Sequence, residues 1–197
     1  MQSPVRGRKF AKEAYTVEEM NALLAVGGRS ATSIRNRALY ALMWQSGARI
    51  AEALALMPID FDLDAAQIHI RRGKGNKSRR VAVGPRAVEE TRAWIVKRSA
   101  LSLEPDAPLF CTLQGRPMHD TYVRTAMQRT AAKAQWQKRA HPHALRHSFA
   151  IQLARSGVPV PYIMRALGHA SLEVTSVYLS AISTEDVSEA MRSVDWG

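Results

Sequence analysis

The sequence predicts a mainly helical α+β domain that carries one small antiparallel β-hairpin. Three observations predict it. Apolar residues recur at three- and four-residue spacing through most of the chain, the period of a helix packed on one side. Two stretches, Gln67–Arg71 and Arg79–Val83, alternate instead with period two, and a turn rich in glycine joins them. Finally, 197 residues with 46% hydrophobic content suffice for one core and no more than a small extension.

The elements follow in order. Residues 1–13 are basic and without periodicity, so they read as a flexible arm whose Arg6, Arg8, Lys9 and Lys12 could lie on phosphates. Thr16 and Glu19 have capping-box spacing, and Met20, Leu23 and Leu24 supply the apolar stripe of a helix that Gly27-Gly28 ends. A longer helix spans roughly Ser33–Gln45 on Ile34, Ala38, Leu39, Leu42 and Met43, with Gly47 beyond its end. Another begins directly after that turn. Arg49 stands at its start, where a helix N-terminus already favours an anion, and Glu52 is one turn on.

The hairpin follows. Six of the ten residues Arg71–Arg80 are basic, and Lys74 sits at the tip. Such a ribbon can lie along a phosphate backbone, so Arg71, Arg72, Lys77, Arg79 and Arg80 are the expected DNA contacts. Gly73-Lys74 is not a P-loop: Gly75 stands where Ser or Thr is required, and the context is strand–turn–strand. Pro85 suits the first position of a helix that runs to about Arg98. Ser102–Pro108 is a loop, Leu109-Phe110-Cys111 a short buried segment, and Gly115-Arg116-Pro117 a turn before a helix over His119–Ala134.

The stretch from Ala140 to Leu179 concentrates the chemistry. On a helix from His143 to Ser156, His143, Arg146 and His147 share one side with Ala150 and Ala154, whereas Leu145, Phe149 and Leu153 suit a core. The small alanines are expected to leave room for something to dock beside the imidazoles and guanidinium. Gly157 and Pro159 stop this helix, Val160–Leu167 forms a short one ended by Gly168, and Ser171 can cap a third that carries Thr175 and Tyr178. Ser183 and Asp186 open a terminal amphipathic helix through Val187, Met191 and Trp196.

Charge narrows the function. Lys+Arg is 28 against 17 Asp+Glu, giving +11 and a pI near 10.4. That excess favours a polyanionic partner, nucleic acid before an anionic membrane, because neutralised phosphates release counterions. No segment reaches the roughly 18 apolar residues of a membrane span, and no secretory signal opens the chain. A lone Cys111 fits a reducing compartment.

Arg49, Lys74, His143, Arg146, His169 and Tyr178 together make a set suited to phosphoryl transfer without a metal. Two arginines can stabilise a pentacoordinate phosphate. A phenol can be the nucleophile, helped by a histidine because its pKa is about 10. A lysine can protonate a leaving oxygen. The sequence shows no acidic cluster of the kind that holds Mg²⁺.

These residues lie in four boxes: Gly47-Ala48-Arg49-Ile50-Ala51-Glu52, Gly73-Lys74-Gly75-Asn76-Lys77, His143-Ala144-Leu145-Arg146-His147-Ser148-Phe149-Ala150, and Leu167-Gly168-His169 followed by Tyr178. In order and spacing they resemble the tyrosine recombinases, the phage integrase and Xer group, over nearly all of residues 14–192. The resemblance implies the catalytic-domain fold of that family over residues 14–197. It also implies a role for each residue. Tyr178 attacks the scissile phosphate to give a 3′-phosphotyrosine, and Arg49 and Arg146 hold the non-bridging oxygens. Lys74 acts as general acid, His143 as general base, and His169 hydrogen-bonds the phosphate or orients the site. It implies site-specific recombination of double-stranded DNA in the cytoplasm, at the nucleoid, with no cofactor, no metal and no ATP. Assembly would be a homotetramer on DNA, formed from monomers or weak oligomers, with residues 183–197 passed to a neighbour. A separate core-binding domain, usual in the family, is not found before residue 14. The basic arm behind Met1 favours a naturally short recombinase, similar to the fimbrial phase-variation inverting enzymes, over a truncated one.

Three other readings compete. A type IB topoisomerase-like relaxing activity shares the chemistry without exchanging partners. A DNA-binding regulator would have lost part of the set, and no member is replaced. A zinc hydrolase could use His143 and His147, but Ala144 stands where the H-E-x-x-H pattern needs Glu.

Overall fold

The computed structural model describes residues 14–71, 78–168, 188 and 191–192. Lys74, His169 and Tyr178, the ribbon residues Arg72 and Lys77, the arm, and the expected capped helix after Ser171 lie outside the described residues, as does nearly all of the terminal helix.

The described chain is helical apart from one small sheet, in agreement with the expected α+β class. Helix α1 spans Val17–Ala25 and α2 Ala31–Ser46. The expected capping box closes α1: Thr16 Oγ1 accepts from the Glu19 N–H at 3.2 Å, and Glu19 accepts from the Thr16 N–H at 2.8 Å. Helix α2 is the axis of the domain. It buries Ala38, Leu39, Tyr40, Ala41, Leu42, Met43 and Trp44 on successive positions, so it is covered on every side over its second half. Helix α4 (Pro85–Ala100) lies along it, with α5 (Asp120–Lys133) and α6 (Pro142–Arg155) also packed against it. Gln45, near the end of α2, caps α4 from outside, its side-chain oxygen accepting from the Ala87 N–H at 2.9 Å.

Between α2 and α4 lie the five-residue α3 (Ile50–Leu54), a 3₁₀ turn over Pro58–Asp60, and an antiparallel sheet of order β1-β2-β3. Strands β2 (Gln67–Ile70) and β3 (Arg79–Ala82) form the expected hairpin, with Ile70 opposite Arg79 as the last pair before the turn. The short β1 (Phe61–Asp62) was not anticipated, since two residues carry no periodicity.

The segment Leu109-Phe110-Cys111 is fully buried, as expected, and Cys111 bridges to Pro117. Two buried arginines hold it. Arg35 donates to the Cys111 carbonyl at 3.0 Å, and Arg98 donates to the carbonyls of Glu104, Ala107 and Pro108 and to Cys111 Sγ. Main-chain carbonyls here satisfy guanidinium donors that burial removes from water.

Helix α7 (Val160–Leu167) ends at Gly168 in the left-handed region (φ 63°), as its sequence predicts. Its placement corrects one expectation. The alanine side of α6 is not open, because Ile163 and Leu167 of α7 pack with Ala150 and Ile151 in a second small core. Small residues let two helices approach closely, and that is their use here. Phe149 and Leu153 pack against that second core, as expected, and with Gln152, Trp44, Val83 and Tyr162 they line a groove of about 430 Å³.

Candidate active site

Two glycine-ended helices, α2 and α7, meet at one point, and Arg146 joins them. Its Nη1 donates to the Gly47 carbonyl and its Nη2 to the Leu167 carbonyl, both at 2.6 Å. Carbonyls at a helix C-terminus lack partners within the helix and carry the negative end of its dipole. A buried cation is therefore matched to them, and Arg146 is 2% exposed. A guanidinium has five N–H donors, and two serve these bonds.

Gly47 is two residues from Arg49. That residue starts α3, and Glu52, one turn on, accepts from its N–H and from its guanidinium, both at 2.8 Å. The Arg49 side chain is 32% exposed and that of Glu52 only 5%. A buried carboxylate thus orients a cation whose outer face stays open. The Arg49–Glu52 pair, one helical turn long, is more than an exposed ion pair. A second guanidinium, from Arg79, lies across the same carboxylate at 3.0 and 2.9 Å. Burial pushes the Glu52 carboxyl up, while the bonds from Arg79 and from the Arg49 N–H pull it down; the net position is below the usual glutamate range.

The ring of contacts closes through α7, because Arg79 Nε donates to the Ala166 carbonyl at 3.3 Å, one residue before Leu167. Arg49, Glu52, Arg79, the end of α7, Arg146 and Gly47 therefore form one connected cluster. Arg49 and Arg146 share a frame and do not lie on opposite sides of the molecule.

His143 is exposed in the first turn of α6, one turn from buried Arg146. Behind it, His141 Nδ1 accepts from the Ala144 N–H at 3.2 Å and caps the helix. The segment entering the domain braces this turn. The Tyr15 hydroxyl donates to the Arg139 carbonyl at 2.8 Å and accepts from the His141 N–H at 3.0 Å, and the Tyr15 N–H donates to Ser148 Oγ at 2.7 Å. The sequence reading missed Tyr15, whose partners lie more than 120 residues away.

The ribbon arginines divide. Arg80 is exposed, as a phosphate contact requires. Arg71 is 57% exposed at its side chain and is paired with Asp60. Arg79, expected among the DNA contacts, is turned inward onto Glu52. The signal was available: strand side chains alternate, so Arg79 shares the face of buried Val81, and Arg80 shares that of exposed Ala82. Among the described residues, no group of three His, Cys, Asp or Glu could hold a metal ion.

A sequence profile of the phage integrase family matches residues 13–184, which takes in all four boxes. The chain belongs to the phage integrase, or tyrosine recombinase, family. It is 33% identical to tyrosine recombinase XerC of Shewanella sp. (strain W3-18-1) over 184 residues, 90% of this chain and 60% of that protein. To XerC of Haemophilus ducreyi (strain 35000HP / ATCC 700724) it is 36% identical over 161 residues, 82% of this chain and 52% of that one. The chain thus spans little more than half the length of these recombinases. Among solved structures, the XerA recombinase superposes with TM-score 0.79 at 25% identity, over 93% of this chain and 66% of XerA. XerH bound to its palindromic difH substrate, a post-cleavage complex, gives 0.75 at 27% identity, over 92% of this chain and 53% of that one. The fold is therefore that of a tyrosine recombinase catalytic domain.

Proposed function

We propose that this protein cuts and rejoins double-stranded DNA at specific sites through a 3′-phosphotyrosyl intermediate, without a metal, a cofactor or ATP. The observation that carries the proposal is the shared frame of Arg49 and Arg146, which fixes two guanidinium groups from distant boxes in one cluster. Two such cations neutralise the charge that builds on the non-bridging oxygens as phosphorus becomes five-coordinate. Tyr178 supplies the nucleophilic oxygen, and its proton passes to His143. The bond from phosphorus to the 5′-oxygen breaks, and Lys74 protonates that oxygen. His169 hydrogen-bonds the phosphate. The ester energy is retained in the phosphotyrosine, so a free 5′-hydroxyl can reverse the step.

Exposed Arg80 and half-exposed Arg71, with Arg72 and Lys77, would track the phosphate backbone. The net charge of +11 supports this reading. Exchange of strands between two duplexes calls for four protomers, with residues 183–197 as the segment passed between neighbours. The protein would act in the cytoplasm, on the nucleoid. Structures of XerH on difH DNA make duplex DNA the natural first substrate to try.

The test is Tyr178→Phe on a nicked suicide duplex. The variant is expected to bind DNA as the parent does and to form no covalent adduct, with EDTA leaving the parent's adduct yield unchanged. Adduct persisting in the variant would remove Tyr178 from the mechanism. Loss in EDTA that Zn²⁺ restores would favour metal chemistry instead.

A further inference from the structure

We propose that Arg79 is a positioning residue. It locks the root of the Lys74 hairpin to the Arg49–Arg146 cluster and does not contact DNA phosphate. The proposal rests on the reading of Arg49, Lys74 and Arg146 given above.

All three nitrogens of the Arg79 guanidinium donate within the protein. Nη1 and Nη2 meet the two oxygens of Glu52 at 3.0 and 2.9 Å, and Nε meets the Ala166 carbonyl at 3.3 Å. Its side chain is 14% exposed. Three of its five N–H donors are thus engaged inside the protein, two of them in a fork, the strongest arrangement a guanidinium and a carboxylate adopt. The end of α7 is shaped to it. Gly168 adopts φ +63°, and a Cβ there would stand 3.0–3.1 Å from Arg79 Cζ, Nε and Nη1. The glycine that ends the helix also lets its backbone lie on the guanidinium.

The position in sequence gives this contact its consequence. Arg79 is opposite Ile70, the last pair before the hairpin turn, and lies five residues from Lys74. Its partner Glu52 also orients Arg49. The Ala166 carbonyl is one residue from the Leu167 carbonyl that receives Arg146. One side chain thus sets the hairpin root against both phosphate-binding arginines. A lysine offers donors from a single point and cannot span both Glu52 oxygens and a carbonyl. The register of the acid relative to the phosphate is what such a residue would control, and misplacement by about 1 Å can cost on the order of 100-fold in rate.

The experiment compares Arg79→Lys, Arg79→Gln and Arg80→Gln in the full chain. Binding to mixed-sequence duplex DNA is measured across a salt series, and single-turnover adduct formation on a suicide duplex at saturating protein. Arg79→Gln is expected to lose about 100-fold in adduct rate and Arg79→Lys about 10-fold, both with unchanged affinity and salt slope. The double variant with Glu52→Gln should be no slower than the worse single one. Arg80→Gln is expected to flatten the slope by about 0.9, the release from one phosphate. An Arg79 variant that behaves like Arg80→Gln, with saturated cleavage intact, overturns the proposal. Amide hydrogen exchange gives a readout without DNA. Arg79→Lys should speed exchange both in β3 and in the last turn of α7, and unchanged exchange there overturns the proposal. Should the parent form no adduct, the recombinase reading fails, and the exchange experiment still decides the role of Arg79.

Discussion

Arg146 reaches back 99 residues to donate to the Gly47 carbonyl at 2.6 Å, and that bond ties the third box of the sequence to the first. Gly47 can offer its carbonyl there because it has φ +65°, the left-handed turn that ends α2. An alanine Cβ would stand 2.5 Å from Phe149 Cδ1 and 2.9 Å from Leu167 Cδ2. Gly47→Ala is thus penalised by conformation and by crowding. We predict a loss of about 2–4 kcal/mol in urea unfolding. Arg49 follows two residues later, so adduct formation should fall even where the variant stays folded.

The Glu52 carboxylate, held between two arginines, makes stability depend on pH. Its folded pKa is lowered, so its contribution is fully present above the unfolded value of about 4.3 and is lost as pH falls through the folded value. Urea unfolding across about pH 5 to pH 2 should show the parent losing more stability than Glu52→Gln, whose amide does not titrate. At neutral pH, Glu52→Gln should itself be less stable than the parent by about 2–4 kcal/mol, because two arginines lose their counter-charge. Parallel pH profiles for the two proteins would place the relevant titration elsewhere.

Tyr15 links the entering segment to the α6 turn that carries His143. Tyr15→Phe keeps the ring against Trp136, 4.6 Å between centroids, and removes the bridging hydroxyl. The expected cost is about 1–2 kcal/mol for the two bonds it makes to Arg139 and His141. Faster amide exchange at the start of α6, measured by mass spectrometry, would localise the effect. Exchange unchanged at residues 141–145 would contradict the bracing role.

Lys74→Ala should slow adduct formation on ordinary DNA by about 100-fold or more, the scale of general acid catalysis. A 5′-bridging phosphorothiolate leaves without needing a proton. The same variant should then cleave that substrate nearly as fast as the parent. Equal defects on both substrates would take the acid role away from Lys74.

Much of this arrangement was legible because local rules and global fold agree. The Thr16–Glu19 capping box, Gly47 and Gly168 as helix ends, Pro85 at the start of α4, and the period-two strands around residue 74 are all local signals. The Arg49–Glu52 pair is local too, one helical turn long. What was misread depends on distant partners. The alanines of α6 admit either a ligand or a neighbouring helix, and only the fold of residues 157–167 brings α7 there. Arg79 sat among six basic residues, and charge density outweighed its strand parity, which pointed inward. The two carbonyls that hold Arg146 belong to helix ends that meet only in the folded chain.

The most direct test is to identify the residue and the DNA end joined in the covalent adduct. The protein is incubated in EDTA with a suicide duplex, the adduct is digested, and the DNA-linked peptide is sequenced by mass spectrometry. One peptide is expected, with Tyr178 bonded to a 3′-phosphate and a free 5′-hydroxyl on the released strand. Linkage at another residue, linkage to a 5′-phosphate, or DNA cleaved with no protein attached would contradict it.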